Sequence, residues 1–120
     1  MIKRFLNIVT NQGVDITYVD SATLGGSFTI NTSGVYGISY SDSGTVVMSL
    51  GITLNSSQLT TAIASINIGD RLITSATAAA NFDVAVSTIV YLAAGSVIRA
   101  HADANATGTR LALFTITRID

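Results

Sequence analysis

Apolar and polar residues alternate with a period of two along most of the chain. In an extended strand this alternation places every second side chain on the same face, so that one face is apolar and buried and the other is polar and exposed to solvent. Turn residues separate the alternating stretches at spacings of roughly 8–12 residues, which is typical of a β-sandwich or barrel. We therefore predict eight strands, over residues 14–19, 27–31, 35–40, 46–54, 71–74, 82–92, 96–100 and 110–119.

Two further stretches leave alternatives open. Residues 5–9 are apolar enough to add a ninth strand. Residues 56–66 carry Leu59, Ile63 and Ile66 at helical spacing and form either a short helix or an irregular excursion between strands. All seven acidic residues are Asp and only one Lys is present, whereas Ser, Thr, Val and Ile are plentiful, which favours sheet over helix for the chain as a whole.

Length and charge bound the organisation of the chain. Its 120 residues show no break in composition, so we expect residues 1–13 to form an N-terminal arm or first strand and residues 14–120 a single domain. Charged residues make up only 11% of the sequence and the formal net charge is −1. A free monomer of this size usually carries more surface charge, so we predict that partners, including further copies of the chain, cover much of its surface.

Several classes of function are disfavoured by composition. The chain has no Cys, which excludes disulfides, thiolate metal sites and Cys nucleophiles. Its six basic residues are scattered, so nucleic-acid binding is not expected. The apolar start is interrupted at Asn7, and no run approaches the ~20 residues of a membrane span, so neither a signal peptide nor a membrane partner is expected.

The single histidine offers the one local arrangement with possible chemistry. His101 and Asp103 are two residues apart and would share a strand face, a spacing that suits an imidazole and a carboxylate on a divalent metal. The alternative is the wet face of a strand running into a loop. Because no third ligand is located and no Gly-x-Ser-x-Gly elbow holds a nucleophile, we predict no metal, no cofactor and no enzymatic activity.

Two groups of residues are candidates for an interface. Lys3, Arg4 and Phe5 form a short amphipathic segment that is either the first strand of the sandwich or an arm that adds a strand to a neighbouring molecule. In the predicted strand 35–40, alternation places three apolar side chains on one face, and we interpret this stripe as core or as subunit interface. It consists of Tyr36, Ile38 and Tyr40.

Three motifs occur in the order found in one known family. The segment 33–36 reads Ser-Gly-Val-Tyr, the segment 92–97 reads Leu-Ala-Ala-Gly-Ser-Val, and the segment 111–116 is a closing strand of aliphatic and aromatic residues. In these features the chain resembles the jelly-roll family of tumour necrosis factor and the globular heads of complement-type collagenous proteins. The family usually has Asp where this chain has Ser96. The resemblance implies a jelly-roll β-sandwich of about eight antiparallel strands in two sheets.

The family's Cys and many of its aromatic residues are missing, and in this the chain is more similar to virion proteins of tailed bacteriophages. That similarity implies a capsid decoration (cement) protein that stabilises the shell by bridging capsomers, made in the bacterial cytoplasm and located on the capsid surface. Its partners would be the major capsid protein and further copies of itself, with a trimer favoured by the resemblance and a dimer as the alternative. The competing interpretation is the receptor-binding tip of a trimeric tail fibre.

Overall fold

The computed structural model describes residues 2–8, 10–44, 46–79, 82–102 and 112–120. Apart from two 3-10 turns, the regular secondary structure of these residues is β-strand, which confirms the predicted all-β class. Each of the eight predicted stretches contains a strand. The strands are β1 (Ile16–Val19), β2 (Ser27–Ile30), β3 (Gly34–Ser43), β4 (Leu50–Leu54), β5 (Arg71–Thr74), β6 (Asp83–Leu92), β7 (Val97–Ala102) and β8 (Leu113–Arg118).

The strands form two antiparallel sheets that pack as a sandwich. The five-stranded sheet has the order β1-β2-β7-β4-β5, and the three-stranded sheet has the order β6-β3-β8. The pairs β4–β5, β3–β6 and β2–β7 are nested in chain order and alternate between the sheets, which is the pairing of a jelly roll. β1 does not follow this nested pairing. Instead of joining β8, β1 forms a hairpin with β2, so that β8 pairs only with β3 among the described strands.

The inward-facing residues of both sheets form one core. On β3 the alternation predicted for residues 35–40 extends over nine residues, from Gly34 to Asp42, with every second residue buried. The buried apolar cluster consists of Ile30, Tyr36, Ile38, Tyr40, Met48, Leu50, Ile52, Val86, Leu92, Ile98, Ala100 and Ala102. Burial of these side chains is the main favourable term for folding, at about 25 cal/mol per Å² of apolar surface removed from water.

Two of the open alternatives are decided by tertiary packing. No ninth strand forms over the described residues 5–8, and the nearest pairing is a single bridge from Ile2 to His101. The segment 56–66 is not a continuous helix. It holds a 3-10 turn at Ile63–Ser65, and a second turn follows at Ile68–Asp70.

Residues of this segment cover the outer face of the five-stranded sheet. Ile63 and Ile66 are buried, and the Ile63 side chain lies so close to Gly51 on β4 that a Cβ at this glycine would be 2.7 Å from the Ile63 Cγ1 atom. The apolar spacing that suggested a helix therefore serves to anchor an irregular segment onto the sheet.

The turn between β6 and β7 contains the glycine of the second family motif. Gly95 adopts a φ of +93°, a conformation that residues with a Cβ rarely take. Its amide donates a hydrogen bond to the carbonyl oxygen of Ile30 at 2.8 Å. Gly95 thus permits the tight turn that reverses the chain after β6, and β7 then joins the opposite sheet.

Candidate interaction surface

The beginning of the N-terminal arm is bound within its own chain. The Lys3 amide donates to the carbonyl oxygen of Ala100 on β7 at 2.9 Å, and the Gly26 amide donates to the Lys3 carbonyl oxygen at 2.8 Å. Residue 3 therefore lies between β7 and the start of β2. Gly25 makes this approach feasible, because its φ is +82° and a Cβ there would collide with the Ile2 side chain. The beginning of the arm is thus held against its own sandwich by isolated backbone hydrogen bonds and not by a regular first strand, and the addition of a strand to a neighbour stays a prediction.

The Lys3 side chain reaches the opposite sheet. Its Nζ atom lies 3.0 Å from Oδ2 of Asp42 on β3, and the Asp42 side chain is only 2% exposed. The same carboxylate accepts a hydrogen bond from the Tyr40 hydroxyl at 2.8 Å and another from the Ser43 amide at 2.8 Å. Lys3 therefore pairs its charge within its own chain, and its assignment to an interface stays a prediction.

Arg4 is also paired within the chain. Its Nε and Nη2 atoms donate to the two carboxylate oxygens of Asp20 at 2.8 and 2.7 Å. These hydrogen bonds lower the pKa of Asp20 and raise the pKa of Arg4. Both side chains remain accessible to solvent, so the pair adds little to stability. A capsid carboxylate would have to displace Asp20 to bind this guanidinium.

Phe5 belongs to an aromatic cluster that joins the two sheets. Its ring centroid lies 5.5 Å from that of Phe114 on β8 and 6.2 Å from that of Phe28 on β2. Phe28 and Phe114 stack at 4.4 Å with an interplanar angle of 17°. Tyr18 and Tyr40 complete the cluster. It ties β1 and β2 to β3 and β8 at the side where β1 does not pair with β8, and Phe5 is thus structural in this chain.

The stripe of three apolar residues on β3 is core. Tyr36 and Tyr40 are fully buried and Ile38 is 2% exposed within a single chain, so none of them offers surface to a second copy. Burial raises the pKa of both tyrosines. The Tyr36 hydroxyl donates to the Thr32 carbonyl oxygen at 2.6 Å. Within the chain these residues are therefore core, which is the first of the two interpretations, because a second sheet of the same chain covers them.

His101 lies on the outward side of β7, opposite Gly51 on β4, against which Ile63 of the covering segment packs. It is fully buried, and neither ring nitrogen has a hydrogen-bond partner in the described structure. Burial, with a smaller effect of the Arg99 charge, lowers the pKa of His101 to about 3. The imidazole is therefore neutral at physiological pH.

The arrangement of His101 with Asp103 that the sequence analysis weighed as a metal site cannot be followed in full, because Asp103 lies outside the described residues. Within the described ranges, no group of three His or acidic side chains is arranged to hold a metal ion. Thr53 Oγ1 and Arg71 Nε, on the neighbouring strands β4 and β5, are also buried without a hydrogen-bond partner in this part of the chain.

A continuous uncharged surface lies elsewhere, on the outer face of the three-stranded sheet. Four outward-facing residues of β3, four of β6 and three of β8 line up across the sheet through the pairs β3–β6 and β3–β8. Ile119, directly after β8, extends the β8 row, because its amide donates to the carbonyl oxygen of Val35. We call this surface the β3 outer face, and it consists of Val35, Gly37, Ser39, Ser41, Ala85, Ser87, Ile89, Tyr91, Leu113, Thr115, Thr117 and Ile119. None of these residues is charged. Ile89, Tyr91, Leu113 and Ile119 are more than half exposed.

A shallow groove runs along the middle of this face. Gly37 and Ser39 form its floor, Ser87 and Ile89 line the β6 side, and the β8 side is lined by Thr115, Thr117 and Ile119. The absence of a side chain at Gly37 opens the groove, since a Cβ there would lie 3.2 Å from the Ile119 Cδ1 atom. Ile89, directly opposite Gly37 in the register, is 72% exposed and stands beside the groove as a ridge.

This face was not singled out by the sequence analysis, although its signal was available. In β6 the outward positions include Ile89 and Tyr91 where a solvated face would carry charged side chains. Alternation alone identifies the two faces of each strand but does not say which outward faces are adjacent. The partners β3, β6 and β8 are far apart in sequence, and only their pairing joins the outward residues into one surface.

Comparison with known proteins adds no family assignment. No family model matches the chain, and no curated protein matches it at a significant level. In the part of the chain that the structure describes, no helix has the length and hydropathy needed to cross a membrane.

Proposed function

We propose that this chain is a non-enzymatic structural protein of a virion, a decoration protein that assembles in several copies on the capsid and stabilises the shell by bridging capsomers. The observation that carries the proposal is the β3 outer face, an uncharged and partly apolar surface on a rigid sheet. Apolar side chains such as Ile89 and Tyr91 lose contact with water when such a face is covered, which favours association.

The distribution of charge supports the same conclusion. Three of the cations are paired with carboxylates of the same chain, in Lys3–Asp42, Arg4–Asp20 and Arg118–Asp15. Charges that are neutralised internally do not steer a charged substrate or nucleic acid to the surface. An assembly protein needs instead a surface that can be buried without leaving charges unpaired.

Such a protein acts by mass action. Each copy that binds the assembled shell and not the dissociated capsomers stabilises the shell by a free energy that grows with the logarithm of its concentration over its Kd. Copies that also contact one another bind a repetitive shell with avidity, so that weak individual contacts give firm decoration. A compact sandwich tied across both sheets by Phe5 and Lys3 is suited to this role, because it loses little conformational entropy on binding.

The copy number of the chain in purified virus particles tests the proposal. Particles of the virus whose genome encodes the chain are analysed by quantitative mass spectrometry against the most abundant shell protein. We expect a ratio near one copy per shell subunit, or a simple fraction such as one third that matches a symmetry axis. A protein of known copy number in the same particles calibrates the measurement. A few copies per particle would place the chain in the tail, as the fibre-tip alternative requires, and absence from particles would exclude both locations.

A further inference from the structure

We infer that the β3 outer face binds the same face of a second copy of this chain, in a symmetric dimer whose two-fold axis runs between the groove and the Ile89 ridge. The inference rests on the proposed function in one respect: it names the partner of the face that the proposal assigns to assembly. It would also make the dimer, rather than the trimer implied by the family resemblance, the basic unit of assembly.

The first argument is electrostatic. In a two-fold dimer each face meets its own copy, so any excess of one charge would face the same charge across the axis. The outward-facing residues of β3 from Val35 to Ser41 are uncharged, and so are their partners on β6 and β8. The nearest cation in the register, Arg118, lies opposite the inward-facing Tyr36 and is paired with Asp15. The β3 outer face therefore meets itself without repulsion and without burying an unpaired charge. A strongly charged partner would find no complementary group on this face.

The second argument is shape. The Ile89 ridge and the groove over Gly37 lie side by side, because these two residues are paired in the β3–β6 register. A two-fold axis between ridge and groove brings the Ile89 side chain of each copy over the groove of the other. The groove is lined mainly by hydroxyl-bearing and aliphatic side chains, which can pack against an isoleucine and pair their hydroxyl groups with one another across the axis.

The third argument concerns area and sets the expected strength. Strands about 4.8 Å apart, with about 6.8 Å between successive outward residues, give four rows on three strands a projected area of roughly 400 Å². Standard interfaces bury about 800 Å² per partner. The face is therefore at the low end of interface sizes and supports a weak, reversible dimer in free solution. On a shell, where neighbouring copies are held close together, the same contact would be saturated.

Sedimentation equilibrium of the purified chain over a concentration series tests the dimer. We expect a monomer–dimer equilibrium for the unmodified protein and a Kd raised about tenfold or more by Ile89→Asp, because this change places two carboxylates in facing grooves. The matched control is Ile68→Asp. Ile68 is 81% exposed in the turn that precedes β5, away from the face, so this variant should keep the Kd of the unmodified chain.

Filling the groove provides a second test that does not depend on charge. Gly37→Thr should weaken the dimer about tenfold, because the new side chain occupies the space that receives Ile89 of the second copy. The melting temperature should be maintained or raised, since Thr suits a strand better than Gly. The contact with Ile119 Cδ1 involves the end of a flexible side chain, which can shift by the few tenths of an ångström required.

Three results would overturn the inference: a monomer across the whole series, a trimer, or a dimer that Ile89→Asp and Gly37→Thr leave unchanged. Circular dichroism of each variant shows whether a lost dimer reflects lost folding, and Gly37→Thr decides the matter if Ile89→Asp fails to fold. The copy-number measurement stays independent. A monomeric chain present at shell-like copy number would refute the dimer and retain the decoration role, whereas a dimer absent from particles would do the reverse.

Discussion

Lowering the pH from 7 to 5 is expected to reduce the free energy of unfolding by about 2 kcal/mol through His101 alone. In the folded protein burial depresses the pKa of His101 to about 3, whereas in the unfolded chain the pKa is about 6.5. Between these values the unfolded state binds a proton that the folded state does not. The stability that depends on neutral His101 is therefore present above pH 6.5 and declines by about 1.4 kcal/mol per unit as the pH falls toward 3.

The composition simplifies the interpretation of the pH dependence of the free energy of unfolding. His101 is the single histidine, and histidine is the side-chain type whose ordinary pKa lies in this pH interval. Urea unfolding at half-unit steps of pH measures the slope. The control is His101→Leu, which removes the titrating group and should flatten the profile over this interval. A flat profile for the unmodified chain would show that His101 is solvated or paired in the folded state.

Replacing Lys3 by Met is expected to lower the free energy of unfolding by about 3 kcal/mol. The substitution keeps most of the aliphatic stem but removes the cation that lies 3.0 Å from the buried carboxylate of Asp42. The Tyr40 hydroxyl and the Ser43 amide would still donate to Asp42, but its charge would be buried without a counter-ion. Chemical denaturation at pH 7 measures the loss.

The neighbouring arginine is the matched control. Arg4→Met removes the adjacent cation from an ion pair of comparable length whose two members are both accessible to solvent, and its effect should be much smaller. Adding Asp42→Asn to the Lys3→Met variant should recover part of the lost stability, because the unpaired charge is then gone. Equal effects of Lys3→Met and Arg4→Met would show that burial of Asp42 does not govern the strength of its pair.

Much of the fold could be predicted from local pattern. All eight strands lie where the alternation places them, because a strand with one buried face has a period of two whatever its partners are. The position of a turn at Gly95 could also be predicted, since this glycine has a positive φ that few other residues adopt. The stripe at Tyr36, Ile38 and Tyr40 was correctly assigned to a single face, although its partner was left open between core and interface.

The roles of the arm residues could not be derived in the same way. Lys3, Arg4 and Phe5 look like an amphipathic segment that is available to a neighbour. Their partners Asp42, Asp20 and Phe114 belong to strands or turns that adjoin the arm only after the sheets have formed. From sequence alone, a charged residue in a short apolar segment is predicted to be exposed. The prediction changes only when the structure shows a buried carboxylate that pairs with it, as Asp42 does with Lys3. His101 likewise read as part of a wet strand face because the residues of β4 and of the covering segment that adjoin this position lie far earlier in the chain.

The sequence by itself determined the class of the fold, the positions of the strands and the scarcity of charge, because each follows from side-chain chemistry at fixed local spacing. Only the tertiary structure decided which outward faces become one surface. Ile89, Gly37 and Thr117 lie on strands brought together by antiparallel pairing over long sequence separations, and no local pattern encodes that adjacency. The free energy that selects the pairing comes from burial of the common core, and the shape of the outer face follows from it.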